Sequence, residues 1–139
     1  MTIAFVAEQS IAQPPDRVWK ALTDWDEAHR WMNGIDRMSA DGPNARGTKV
    51  TFHTRGKDRD AEIVAYEEGS VIALRSVQGS VTADYRYEVK PSGDGNTAVT
   101  LTADCEARGW LAILGPLIRF GIRRTDSGQL EALRDVVER

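Results

Sequence analysis

Few residues in this chain are able to do chemistry, and their spacing limits what that chemistry is. His29 and His53 are its two histidines and Cys105 its single cysteine. Neither histidine has the spacing of a metal motif and neither has a cysteine nearby, so no zinc-type ligand set is expected. One cysteine also excludes an intrachain disulfide. There is no strand-to-helix nucleophile turn for a Ser-His-Asp triad. No glycine motif for a phosphate or a dinucleotide is present either, and no cofactor is expected.

What remains is a small polar set among apolar neighbours. Tyr85 and Tyr87 fall on one side of a strictly alternating run, Val81 to Val89. As core aromatics, their hydroxyls would reach the rim of a sheet. As cavity groups, one hydroxyl would point inward as a ligand donor or general acid. Asp126 is open in the same way. With Gln129 three residues on, it forms a capping box, in which its role is structural. Facing a cavity instead, desolvation would raise its pKa and suit it to acid or base work. Cys105 reads most simply as a small buried hydrophobe.

These residues have to be positioned by larger elements. The stretch from Trp110 to Arg139 reads as a long helix, its main part starting near Pro116, with a kink or restart at Asp126-Ser127-Gly128-Gln129. Ile118, Ile122, Leu133 and Val137 recur at helical spacing as a buried stripe. Gly121, Thr125, Gly128 and Ala132 form a parallel stripe of small residues that leaves room beside it. The far face carries Arg123, Arg124, Ser127, Glu131, Arg134 and Glu138, with Arg134 and Glu138 placed to pair.

Upstream, Thr2 to Ala12 reads as a strand with Ile3, Phe5, Ala7 and Ile11 on one face. Pro14-Pro15-Asp16 opens a helix whose apolar side is Val18, Trp19 and Leu22. Thr23-Asp24 ends it, and a second short helix is expected from Asp26 to Met32. Strands then follow at Thr48 to Arg55, Ala61 to Glu67, Val71 to Val77, Val81 to Val89 and Thr97 to Ala107. The turns between them include Gly56-Lys57-Asp58-Arg59 and Gly79-Ser80. His53 shares a face with Thr51 and Arg55, opposite Phe52, and is expected to face solvent. Evenly spaced strands with tight turns imply an antiparallel meander, one face of which must be covered.

At 139 residues and net charge −3, with 41% hydrophobic and 28% charged residues, the chain fits one soluble globular domain, 1–139. It has no basic block, which argues against nucleic acid as a partner. The N-terminus lacks the regions of a signal peptide, and the most apolar window, 110–122, contains Arg119 and is too short to span a bilayer. A cytoplasmic location is expected. Nothing fixes an oligomeric state.

The order of strand, two short helices, antiparallel strands and long terminal helix resembles the helix-grip fold of the SRPBCC superfamily, which includes START domains, Bet v 1-like allergens and the bacterial polyketide cyclase/dehydrase group. Pro14-Pro15-Asp16-Arg17-Val18-Trp19 with Leu22-Thr23-Asp24 is similar to that family's first-helix motif, and Trp31 to the tryptophan that follows it. Gly93-Asp94-Gly95-Asn96-Thr97 resembles the turn before the last strand. Gly115-Pro116-Leu117, Arg123-Arg124 and Leu130-Glu131-Ala132-Leu133-Arg134 resemble the terminal helix of the bacterial group. The resemblance implies an α+β fold, six or seven antiparallel strands curved around the terminal helix, and an elongated cavity between them for a small hydrophobic or aromatic molecule.

Trp31, Phe52, Tyr85, Tyr87 and Cys105 are the expected lining from the sheet and lid. From the terminal helix the expected lining is Ile118, Gly121, Ile122, Thr125, Asp126 and Gln129. Two other functions stay open: a cofactor-independent cyclase or dehydratase using acid/base groups in that cavity, and a protein-interaction module like the Hsp90-activator relatives of the fold. The first requires convergent titratable groups in the pocket. The second requires an exposed apolar patch.

Overall fold

A computed structural model describes residues 2–32, 34–108, 115–116, 119–120, 123 and 128–138. Seven strands form one antiparallel sheet: β1 (Thr2–Ile11), β2 (Ile35–Ala40), β3 (Lys49–Thr54), β4 (Lys57–Glu67), β5 (Val71–Gln78), β6 (Val81–Pro91) and β7 (Thr97–Ala107). Their order across the sheet is β1-β7-β6-β5-β4-β3-β2, so the first strand pairs with the last. Between β1 and β2 lie α1 (Pro15–Thr23) and a 3-10 helix (Trp25–Arg30), and the chain closes with α2 (Gln129–Glu138). Gly115, Pro116, Arg119, Phe120 and Arg123 also have helical backbone.

Alternation carries most of the sheet. On β7, Val99, Leu101, Ala103 and Cys105 are buried while Ala98, Thr100, Thr102 and Asp104 between them are only half-buried. Val99, Leu101 and Ala103 of this row share one core with residues of α1, the 3-10 helix and α2. In α1, Val18, Trp19 and Leu22 turn to the same interior, behind a start made by Pro15 and Asp16, as their fixed φ and negative charge favour. The second short helix is 3-10 rather than α and begins one residue earlier than expected. Fully buried Thr97 ties the layers together: its hydroxyl donates to the Gln13 carbonyl at 2.7 Å.

Three strand expectations are corrected. Ile3 is 56% exposed, because a register shift between Ile3 and Phe5 moves it to the outer face. An extra residue at a bulge reverses the alternation on one side of it. The strand β2 was not expected; only Ile35 and Met38 mark it, and another register shift between Ile35 and Arg37 breaks their period. The β3–β4 turn is the pair Arg55-Gly56, with φ of 52° and 76°. Both central residues of this hairpin turn need positive φ. Strand β4 therefore starts at Lys57, inside the stretch expected to be loop.

The final helix is described from Gln129, with Gly128 before it in a turn and the Ala132 amide donating to the Gly128 carbonyl; Asp126, the expected cap, lies outside the described residues. Leu130, Leu133 and Val137 are buried on it. Gly128 is exposed and nothing approaches it, so this member of the small stripe does not line the interior. Arg134 pairs with Asp135 and Glu131 rather than with Glu138. Glu138 instead accepts a hydrogen bond from the Ala12 amide at 2.9 Å, pinning the helix to the end of β1.

Candidate functional site

The expected site residues fall into three groups. Ile118, Gly121, Ile122, Thr125 and Asp126 lie outside the described residues. Phe52 is half-buried on β3, opposite Met38 and Arg59, and packs on the edge of the core. Trp31, Tyr85, Tyr87, Cys105 and Gln129 are on or over the inner face of the sheet, and three of these meet.

The meeting point is Tyr87. Alternation along β6 turns it inward, and it is 2% exposed. Its hydroxyl donates to Gln129 Oε1 at 2.7 Å, a buried bond joining the sheet to the first residue of α2. Trp31, which closes the 3-10 helix, stands edge-on to the Tyr87 ring with centroids 5.9 Å apart and planes at 88°. That geometry sets the positive ring edge against the negative face. The Trp31 indole Nε1 is buried and has no hydrogen-bond partner among the described residues. By contrast, Trp25 of the same helix donates its Nε1–H to Asn44 Oδ1 at 2.8 Å.

Further along the inner face the side chains become small. The register aligns Ala61 with Ser76, Ser76 with Ala83, and Ala83 with Cys105. A row of four small residues therefore crosses four neighbouring strands. The next row, Ile63, Leu74, Tyr85 and Ala103, separates it from Tyr87. Burial pushes the Cys105 thiol above its ordinary pKa, an effect partly offset by the charge of Arg119. The Arg119 guanidinium also lies against buried Gly115, one turn earlier. Sequence reasoning passed over Arg119, although an arginine inside the most apolar window of the chain was a signal.

A cleft of ≈ 550 Å³ opens between Arg30, the neighbour of Trp31, and Ala132, Asp135 and Val136 on α2. Another, of ≈ 340 Å³, lies by the β5–β6 hairpin and includes Arg75, Thr82 and Arg108. The Arg75 guanidinium there is committed to Asp84 by two bonds, at 2.7 and 2.8 Å. His53 belongs to neither cleft. It sits 19% exposed rather than free in solvent, bonded through Nδ1 to Asp58, whose carboxyl it holds below the usual range.

A seven-stranded antiparallel sheet with two short helices after its first strand and a C-terminal helix, its polar groups turned inward at one end, defines a helix-grip protein. The chain belongs to the polyketide cyclase / dehydrase and lipid transport family, whose model matches residues 2–138. The solved structures similar to it include the Zhui aromatase/cyclase from Streptomyces sp. R1128, at 18% identity and TM-score 0.77, with 97% of this chain and 93% of that one covered. A START superfamily protein from Mycobacterium smegmatis is similar at 14% identity, TM-score 0.77 and 96% of both chains. The di-domain aromatase/cyclase BexL from the BE-7585A biosynthetic pathway matches at 14% identity and TM-score 0.82, over 99% of this chain and 47% of that one. At these identities the likeness is one of fold. No curated protein matches the sequence. Among the described residues no helix is long and apolar enough to cross a membrane.

Proposed function

We propose that the protein binds a small apolar or aromatic molecule between the inner face of the sheet and its C-terminal helix. The observation that carries this reading is the aligned row Ala61, Ser76, Ala83 and Cys105. Interiors are close-packed, and small side chains across four strands leave volume that other groups have to fill. Tyr85 and Tyr87 supply aromatic surface beside that volume, and the cleft between Arg30 and α2 supplies a way in. Membership of a family of cyclases and lipid carriers agrees with such a ligand.

Binding is favoured over catalysis by the chemistry of the lining. Its described polar groups are an indole N–H, two phenols, a carboxamide, the Ser76 hydroxyl and a thiol held in its neutral form, with the Arg119 guanidinium near the thiol. These orient and hold a ligand. The histidines lie elsewhere, His29 exposed on the 3-10 helix and His53 on the opposite face of β3 from Phe52.

The test is titration of the folded protein with the dye anilinonaphthalene sulfonate, alone and after Ala83→Leu. One dye per chain is expected to bind the wild type. In the variant, leucine enters the open volume, so dye affinity should collapse while the melting temperature holds. The proposal is overturned by a folded protein that binds no dye. It is equally overturned by an Ala83→Leu protein destabilised by about 1–3 kcal/mol, the usual cost of overpacking, with dye affinity unchanged.

A further inference from the structure

The two edges of the sheet are built differently. At one edge, β2 has six residues, a register shift and the charged neighbours Asp36 and Arg37. Short length, irregularity and charge are the usual guards against pairing with another chain. At the other edge, β1 has ten residues with no lysine, arginine or proline, and Glu8 is its one charge. Its irregularity lies near its start, so Phe5 to Ile11 pair with β7 without a break. Among the described residues, β7 is the one strand bonded to β1, and the Gln9 side chain, on the Ser10 carbonyl, makes the one further bond to its backbone from Thr2 to Ile11. The outer face of this edge is apolar as well. Of the four large hydrophobic side chains exposed among the described residues, Ile3 and Val6, each 56% exposed, stand there, opposite Asp104 and Thr102.

We propose that β1 is a dimerisation edge on which a second copy of this chain pairs antiparallel, Val6 against the partner's Val6 at the twofold axis, joining two seven-stranded sheets into one. The register follows from the chain's own residues. Directly opposed residues in a sheet point to the same face. A twofold axis normal to the sheet keeps each face on its own side, so an outward residue must meet an outward one. Glu8 on the axis sets two carboxylates directly opposite each other, which is destabilising. Ala7 on the axis leaves them as diagonal neighbours. Val6 on the axis carries Glu8 four residues from its copy, about 13 Å along the strand, and gathers Ile3 and Val6 of both copies into one apolar patch. On the inner face it sets buried Phe5 opposite half-buried Ala7, a large side chain beside a small one. The dimer stands apart from the binding function, since no residue of the row Ala61, Ser76, Ala83 and Cys105 belongs to β1.

The test is sedimentation equilibrium of the full chain over a range of concentrations, with three variants. One pair of strands makes a small interface of the weak, transient class, so wild type should be dimeric at about 300 µM and monomeric at about 3 µM. Val6→Lys puts the residue that guards natural edge strands at an exposed position. It should keep the wild-type melting temperature and stay monomeric throughout. Val6→Cys, oxidised with copper phenanthroline, should form a disulfide-linked dimer, because α-carbons of opposed residues lie about 4.5–5.5 Å apart, within the reach of a disulfide. Ser10→Cys, exposed on the same face, should not, since its copy lies eight residues away, about 26 Å. Wild type, with Cys105 buried, is the blank. A wild type that is monomeric at about 300 µM overturns the proposal. A dimer that survives Val6→Lys overturns it too, since another face then makes the contact, and so does equal cross-linking of the two cysteine variants. If Val6→Lys fails to fold, the two cysteine variants decide alone.

Discussion

The Tyr87–Gln129 bond joins the sheet to the terminal helix through buried polar atoms, and its strength is open to direct measurement. Both residues are buried, and the bond is 2.7 Å long. Tyr87→Phe removes the donor and leaves the Gln129 carbonyl oxygen without it, in a place water does not reach. Gln129→Met removes the acceptor at nearly constant volume and helix propensity. Each loss should cost about 1–3 kcal/mol, the desolvation penalty of an unpaired buried group. At roughly 2.1 cal/mol/K per residue, the unfolding entropy of this chain is about 0.3 kcal/mol/K, so each variant should melt about 3–10 °C below wild type. The decisive quantity is the double variant. It removes both ends of this bond at once, so its loss should fall short of the sum of the two single losses by about 1 kcal/mol or more. Thermal and urea unfolding of the four proteins gives the cycle. Strictly additive losses would refute the reasoning, since the two groups would then be satisfied independently of each other.

Asn44→Leu should destabilise the protein by about 1–3 kcal/mol in urea unfolding, because it strips the Trp25 Nε1–H of its acceptor; an unchanged midpoint would mean that Trp25 finds water. Cys105 sets a pH dependence. Burial makes the folded thiol hold its proton more tightly than the unfolded one, so its contribution is complete below the ordinary pKa of 9.0 and is lost as pH climbs from there toward the folded value. Tyr66, also raised by burial, stays in both proteins. Stability of wild type should therefore fall more steeply above pH 9.0 than that of Cys105→Ala, and parallel curves would contradict the burial argument.

The residues differ in how much of their place in the fold is legible in the sequence. Tyr85 and Tyr87 were legible as inward-facing because β6 alternates without interruption. Leu133 and Val137 were legible because they keep helical period. The bulge before Phe5 was not, since no residue type marks it, and it carries Ile3 to the wrong side. The strand at Ile35–Ala40 was hidden by the same kind of irregularity. The turn at Arg55-Gly56 was displaced because arginine adopts positive φ there, where the neighbouring lysine and aspartate looked more turn-like. The site was less legible than the fold for a related reason. The row Ala61, Ser76, Ala83 and Cys105 exists only through the registers of three strand pairs. The Tyr87–Gln129 bond joins positions 42 residues apart. Neither registers nor distant contacts leave a local mark. Trp31 could be placed in the lid from its position, but only its surroundings reveal that its nitrogen has no partner among the described residues.

The pairing of the first strand with the last bears on how the chain is made. Ile11 lies opposite Thr97, and Thr2 opposite Cys105. The strands from β2 to β7 are built from neighbours in sequence, so each has to wait only for the next to be made. The first strand leaves the ribosome earliest and has the longest wait, through nearly a hundred further residues. At about 5–20 residues per second, that interval lasts roughly 5–20 s. Throughout it Val6 and Ile3 are exposed, as they are in the finished fold, and Phe5 and Ile11 are as well. An unpaired apolar strand invites pairing with another nascent chain. Its docking closes the most sequence-distant contacts in the sheet, the kind of pairing that forms slowly because a long loop must be closed first. A newly made molecule is therefore most exposed to aggregation and to chaperones before β7 has emerged.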